Sequence, residues 1–253
     1  MPEFDIILIL VLSGIVVGFI NTLAGSGTII SITVLTMLGM PVAMANGTHR
    51  IAVLMQNLVA VGSAHKHKVL DWKKGWILAI PTTVGSVVGA YIAVEINHEL
   101  FEKIIGVAML VMMFMMFYKP DKWLHGSKAL QEKKTGIWQI LLYLLIGFYG
   151  GFIHIGVGIF MLATLVLSGG YDLIRANALK NWLVLLYVPF VLVVFIISGM
   201  VNFTYGIIHG CGNMLGAWLA TKYAVSWGTK FVRWVLVVVI LFASSKFLGF
   251  WTM

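Results

Sequence analysis

The sequence predicts an all-α, polytopic membrane protein made of two inverted five-segment repeats with broken or re-entrant helices. Three observations carry this. Of the 253 residues, 60% are hydrophobic and 10% are charged, against about 25% charged in a soluble domain. Apolar runs of roughly 20 residues, the length that crosses about 30 Å of hydrocarbon, recur along the chain. Two runs are interrupted at glycines in corresponding places of the two halves, a pattern that marks binding sites inside transporters.

Taken in order, the first half holds apolar segments at 5–24, 28–38, 46–64, 75–94 and 101–118, and the second at 137–155, 159–169, 176–198, 205–224 and 231–250. These divide the chain into repeat 1 (1–118), a charged connector (119–136) and repeat 2 (137–253). The runs are apolar all round. Barrel strands would alternate in polarity, so the segments read as helices. The acidic start Met1 to Asp5 lacks the basic region of a cleavable signal. Cys211 is the one cysteine, which excludes an intrachain disulfide and a thiol cluster.

The halves align internally. Gly14, Gly18 and Asn21 correspond to Gly147, Gly151 and His154. Beyond a short gap, Gly25 and Gly27 correspond to Gly156 and Gly158, Ala45-Asn46 to Ala176-Asn177, Asp71-Trp72 to Asn202-Phe203, and Gly85 to Gly216. Loop charge orients the halves. Lys66, Lys68, Lys73 and Lys74 surround Asp71, whereas the corresponding stretch 199–204 is uncharged. Glu95, Glu99 and Glu102 contrast with Lys222, Lys230 and Arg233. Basic loops stay inside, so the connector, the 66–74 loop and the 222–230 loop are expected in the cytoplasm and both termini outside. An odd number of segments per half then inverts one repeat relative to the other.

Segments 28–38 and 159–169 are short, so each either dips in and returns with its neighbour or extends through flanking residues. A dozen helical residues reach about 18 Å at about 1.5 Å each. The breaks at Gly25-Ser26-Gly27 and Gly156-Val157-Gly158 are therefore expected at depth, where irregular backbone survives only under cover of protein or a wet cavity. Glycines four apart (Gly14/Gly18, Gly85/Gly89, Gly147/Gly151, Gly206/Gly210, Gly212/Gly216) suit close helix packing. Trp72, Trp76, Trp123, Trp138 and Trp227 lie near segment ends, as interfacial anchors do. His65 and His67 read as solvated loop residues.

The polar residues within the runs decide the chemistry. All nine acids lie in loops, in the connector, at the N-terminus or at a segment edge. A cation carrier or a carboxylate proton relay needs an acid inside the membrane, so both are disfavoured. The positive net charge follows the loops and does not point to nucleic acid. Arg50 and Lys180 lie about one turn into the third and eighth segments, and an intramembrane charge is a functional candidate by default; snorkelling to a headgroup is the structural alternative. Asn46, Thr48 and Asn177 are placed to cap those two segments. Helix starts, glycine backbone and the hydroxyls of Ser26 and Thr28 would add donors suited to a small oxyanion. Asn21 and His154 precede the breaks as ligands or as partners for freed backbone. Gln56 and Asn57 either line a pathway or bond between helices. His209 is a candidate proton carrier, and Cys211 fits packing better than chemistry.

The opening GxxxGFINTLAGSG, the ANGTHR that starts the third segment, the VLDWKKG that leads into the fourth, and the second-half GFYGGFIHIGVG resemble the TauE/SafE family over Gly14 to about Phe247. That family is described as sulfite or sulfonate exporters and related anion permeases. It usually carries a denser glycine run than Gly25-Ser26-Gly27, often followed by Pro where this chain has Ser31-Ile32-Thr33. The resemblance implies movement of a small sulfur-containing anion across a bacterial inner membrane.

The combined expectation is a secondary transporter, not an enzyme, that works without cofactor or metal. Its partners are a small anion and the lipid bilayer; a homodimer is allowed. The expected binding residues are Asn21, Gly25, Ser26, Gly27, Thr28, Asn46, Thr48, His49, Arg50, His154, Gly156, Gly158, Asn177, Lys180 and Asn181. On this reading, Arg50→Ala or Lys180→Ala abolishes transport in a chain that still folds. An anion channel, a carrier of another oxyanion or carboxylate, and a membrane-embedded enzyme are the rivals.

Overall fold

The computed structural model describes residues 3–97, 99–101, 103–105, 107 and 135–223. Most of the connector (119–134), Trp123, Trp227, and the expected tenth segment with Lys230 and Arg233 lie outside the described residues. The helices are α1 (Glu3–Ala24), α2 (Thr28–Met37), α3 (Val42–Lys66), α4 (Trp72–Glu95), α5 (Ile137–Phe152), α6 (Val157–Leu167), α7 (Leu173–Ile197) and α8 (Phe203–Tyr223). No strand occurs among the described residues.

Helices α1, α4 and α7 are each long and apolar enough to cross a membrane. Their outward faces are apolar. On α1, Phe4, Leu8, Leu12 and Val16 are exposed; on α4, Trp76, Ile80, Val84, Val88 and Tyr91 are. That three-to-four spacing is one helix face, turned outward where a soluble protein would turn it in. The buried set includes Asn21, Asn46, His49, Arg50, Asn57, Lys180, Asn181 and His209, and no Asp or Glu among the described residues. Polar groups gathered inside an otherwise apolar core, under an apolar exterior, are the arrangement that lipid as solvent selects.

Helices α3 and α8, of 25 and 21 residues, reach about 38 and 32 Å at about 1.5 Å per residue. They also span by length, with lower hydropathy because they carry many of the buried polar groups. Helices α2 and α6 have 10 and 11 residues, about half a bilayer. Each doubles back along the helix before it. Gln139 at the start of α5 donates to the Ser168 carbonyl just past α6 (3.1 Å), so the beginning and end of that pair meet. The His209 ring likewise touches both the Leu10 carbonyl on α1 and the Ser31 hydroxyl on α2.

Four of the five glycine pairs act in two zippers, while Gly206 and Gly210 face the Ile51 and Met55 side chains of α3. A side chain at Gly14, Gly18, Gly212 or Gly216 would collide with backbone across the α1–α8 contact. One at Gly85, Gly89, Gly147 or Gly151 would collide across α4–α5. Both zippers join a helix of the first half to one of the second. Helix α3 packs on α8 and α4 on α7, and α3 meets α7 between them. Each zipper thus anchors a mixed body, α1–α3 with α8 and α4 with α5–α7, and α7 packs on α3 as well as on α4.

Two expected helix starts are corrected. Helix α3 begins at Val42 after Pro41, and α7 begins at Leu173 after Asp172. Asp172 caps α7 through the backbone N–H groups of Ile174 and Arg175. Asn46, Thr48 and Asn177 therefore sit at least a turn inside their helices and do not cap them.

Candidate functional site

The displaced asparagines and the two buried cations cap other helices instead. Helix α5 ends at Phe152, leaving carbonyls without an intrahelical partner. The Asn46 side-chain amide donates to the Phe152 carbonyl (2.8 Å). The Arg50 guanidinium donates to Gly150 (2.6 Å) and Gly151 (2.8 Å), and also to the Asn46 side-chain oxygen (3.2 Å). Helix α1 ends in the corresponding way. Asn177 donates to the Thr22 carbonyl (2.7 Å), and the Lys180 ammonium to Asn21 (2.9 Å) and Thr22 (3.2 Å). Each broken helix is clasped by a cation and an asparagine from the other half. A cation at a helix C-terminus also opposes its partial negative charge. Arg50 and Lys180 are 0% and 2% exposed, so neither snorkels.

Between the clasps the two breaks touch. A Cβ on Gly25 would strike the Cα of Gly158, and one on Gly158 would strike the Cα of Gly25. Gly25 and Gly156 are left-handed (φ 71° and 66°), and so is His154 (φ 66°). A histidine in that conformation is uncommon and is a mark of functional or strained positions. Beside this contact lies a cavity of about 10 Å³ lined by Asn21, Gly25, Gln56, Asn57, His154, Val157, Gly158, Lys180, Asn181 and Val184. That is room for about one water molecule. Three buried atoms of the lining side chains, Asn21 Nδ2, Gln56 Oε1 and Asn57 Oδ1, have no hydrogen-bond partner. Such groups are rare in a settled interior, and here they belong to residues around one space.

One imidazole, His154, lines the cavity, and two more, His49 and His209, follow it in a buried row. His154 Nδ1 lies 3.0 Å from Arg50 and 2.8 Å from the Tyr187 hydroxyl. Arg50 can only donate, so Nδ1 accepts and the ring proton is assigned to Nε2. His49 is 6.0 Å from His154 and 6.3 Å from His209, centroid to centroid. Its Nε2 meets the Thr28 hydroxyl at 3.2 Å, while its Nδ1 is buried without a partner.

The structure thus brings six of the fifteen expected residues to the cavity wall: Asn21, Gly25, His154, Gly158, Lys180 and Asn181. Asn46, Arg50 and Asn177 form the clasps around it. Thr28 and His49 bond each other, the Ser26 hydroxyl is buried without a partner, and Gly27 and Gly156 are the residues before α2 and α6. Thr48 is engaged elsewhere, accepting from the Asn202 backbone N–H at 2.9 Å. Because Arg50 and Lys180 satisfy helix ends, replacing either also removes structural bonds; the expectation that such variants simply fold is corrected on that ground. Gln56 and Asn57 also line the cavity. The signal for Asn57 was its spacing, since Asn46, Arg50 and Asn57 follow the repeat of one helix face.

Comparison with known proteins adds three observations. A family model described as Sulfite exporter TauE/SafE matches residues 10–247. A probable membrane transporter protein of Haemophilus influenzae is 26% identical, the match covering 96% of this chain and 94% of that protein. The probable membrane transporter proteins ORF9 of Sinorhizobium and YunE of Bacillus subtilis are each 25% identical; the matches cover 97% and 92% of this chain, and 94% and 92% of those proteins. No solved structure matches. With a match across nearly its whole length and an apolar exterior suited to lipid, this multi-pass inner-membrane protein belongs to the TauE/SafE sulfite exporter family of membrane transporters.

Proposed function

We propose that the protein is a secondary transporter of a small sulfur-containing anion, sulfite or an organosulfonate, and that it exports it by alternating access at the cavity beside Gly25 and Gly158. The two halves act as inverted repeats, each supplying a broken helix and a clasp. The carrying observation is two buried cations next to a shared cavity, with no buried carboxylate among the described residues to neutralise them. The ends of α1 and α5 contribute roughly half a negative charge each, and the starts of α2 and α6 roughly half a positive charge each. Those terms cancel, so the charge of Arg50 and Lys180 remains for a guest. Asn21, Asn181 and the Nε2–H of His154 supply directed donors.

The cavity is closed at its present size, so an anion enters only when the walls part. The moving units in this reading are the two mixed bodies, because each glycine zipper ties its helices backbone to backbone. An anion that draws Arg50 and Lys180 off the helix-end carbonyls would loosen the contact between the bodies. Binding energy then couples to opening, as a population shift requires.

The test is flux of sulfite, methanesulfonate, sulfate and acetate in liposomes holding the purified full chain. Asn57→Leu and Asn181→Leu fill the cavity without touching the clasps. Both are expected to slow sulfite and methanesulfonate tenfold or more, about 1.4 kcal/mol. Normal flux in both folded variants overturns the site, and faster acetate than either sulfur anion overturns the substrate class.

A further inference from the structure

Resting on that transport reading, we propose that His49 binds one proton that crosses the membrane together with the anion. The buried centre holds no Asp or Glu among the described residues, and histidine is the side chain whose ordinary charge change falls between about pH 5 and 8. Three histidines are buried there, and their contacts separate their roles. His209 has both nitrogens engaged, by the Leu10 carbonyl at 2.9 Å and by the Ser31 hydroxyl at 2.7 Å. His154 has its Nδ1 held by Arg50 and Tyr187, so a proton there must first displace a guanidinium. His49 alone of the three keeps a nitrogen, Nδ1, buried and without a partner.

Position supports the choice. His49 stands between the other two rings and next to Arg50 in sequence. By the internal alignment its counterpart is Lys180. One half thus carries the clasp ammonium where the other carries an imidazole. The groups facing His49 are Thr28 on α2, His154 at the second break, His209 on α8 and Arg50 on α3, with Tyr187 and Lys180 of α7 behind His154. All the charged ones are positive. An empty site therefore resists a further proton, and an anion in the cavity favours it. The linkage is reciprocal: the proton raises affinity for the anion by the same factor. The proton leaves solution on the side where the anion enters, rests on Nδ1, and is released with the anion on the far side. No bond other than N–H forms or breaks, and a monoanion crosses with no net charge.

The experiment uses the full chain in liposomes with entrapped pH dye and methanesulfonate, an anion that carries no proton of its own at neutral pH. The expected result is one proton moved per anion. A pH gradient drives flux, and a potassium diffusion potential alone does not. His49→Gln keeps an amide for Thr28 but cannot protonate, so it is expected to lose proton movement, to respond to the diffusion potential, and to bind the anion about tenfold more weakly, within the usual range of coupling between sites. His209→Gln is expected to keep the proton. Wild-type anion flux without protons overturns the proposal and leaves the transport reading intact; this arm does not depend on how any variant folds. Proton coupling retained in His49→Gln overturns the assignment to His49. No anion flux under any gradient overturns the transport reading, and this proposal with it.

Discussion

Replacing Gly25 by Ala tests the meeting of the two breaks, and the structure supplies its own controls. Two penalties act at Gly25. Its φ of 71° lies in the left-handed region, where an L-residue costs roughly 1–2 kcal/mol. Its new Cβ would also strike the Gly158 backbone, and forcing an atom into a packed interior costs typically about 1–3 kcal/mol. Gly39 carries the first penalty alone: φ is 87° and a Cβ there meets nothing within 4 Å. Gly158 carries the second alone, since its Cβ meets Gly25 without a positive φ. Gly39→Ala should therefore cost about 1–2 kcal/mol, Gly158→Ala about 1–3, and Gly25→Ala about 2–5, the sum of the two. The assay is thermal unfolding in one detergent, followed by size-exclusion fluorescence, with flux measured on whatever folds. Only the substitutions at 25 and 158 should impair flux, because only they part the walls of the cavity. A Gly25→Ala variant no less stable than Gly39→Ala, with normal flux, would refute the contact between the breaks.

Further outcomes follow from the clasps and from the loops at one end of the helices. Arg50→Met strips donors from the carbonyls of Gly150 and Gly151, and a hydrogen bond to a charged group is worth about 1.5–3 kcal/mol. It should lower the unfolding temperature more than Asn181→Leu does, and Arg50→Lys should restore only part, because an ammonium lacks the planar fork. Tyr171→Phe removes a 2.6 Å bond to the Asp71 carboxylate, which links the loop before α7 to the start of α4; the expected loss is about 1.5–3 kcal/mol. Burial, then the hydrogen bond and charge of Asp71, raise the Tyr171 phenol above its ordinary value. A raised value means the bond's contribution is fully present below the unfolded phenol's value of about 10 and is lost as pH rises through the folded one. The Tyr171→Phe difference should therefore be the same at pH 7 and pH 9. A difference that halves between them contradicts the raised phenol.

The membrane class, the two short segments and the glycine zippers were legible in the sequence because each depends on residue type and spacing. So was the inward placement of Asn46, Arg50, Asn177 and Lys180, since polar groups in apolar runs must turn from lipid. Their targets were not legible. Arg50 and Lys180 bond backbone carbonyls about a hundred or more residues away, and a carbonyl carries no residue-type signature. The start of α7 was misjudged for a related reason. Asp172 was visible as an acid at a segment edge, but the apolar run that defines the segment begins after the helix does. Which helices pair across the halves also left no trace, because glycine at a given spacing does not name its partner.

The cross-clasp bears on why a carrier would be built from interleaved halves. Had each half capped its own broken helix, the caps would travel with that helix and be blind to the other. Here Arg50 belongs to one mixed body and the α5 end it holds to the other, while Lys180 and the α1 end are arranged the opposite way. Every separation of the bodies therefore exposes helix-end carbonyls and strands a buried cation, each loss costing on the order of 1–3 kcal/mol. An empty carrier should stay shut. Under the proposed function, a small anion would offer the stranded cations a replacement partner at the place where the bodies part, and so lower the cost of opening without any contact to a distant gate. On the proposed mechanism the groups that hold the closed state together are also the ones that the guest engages, and that coupling would prevent leak without cargo.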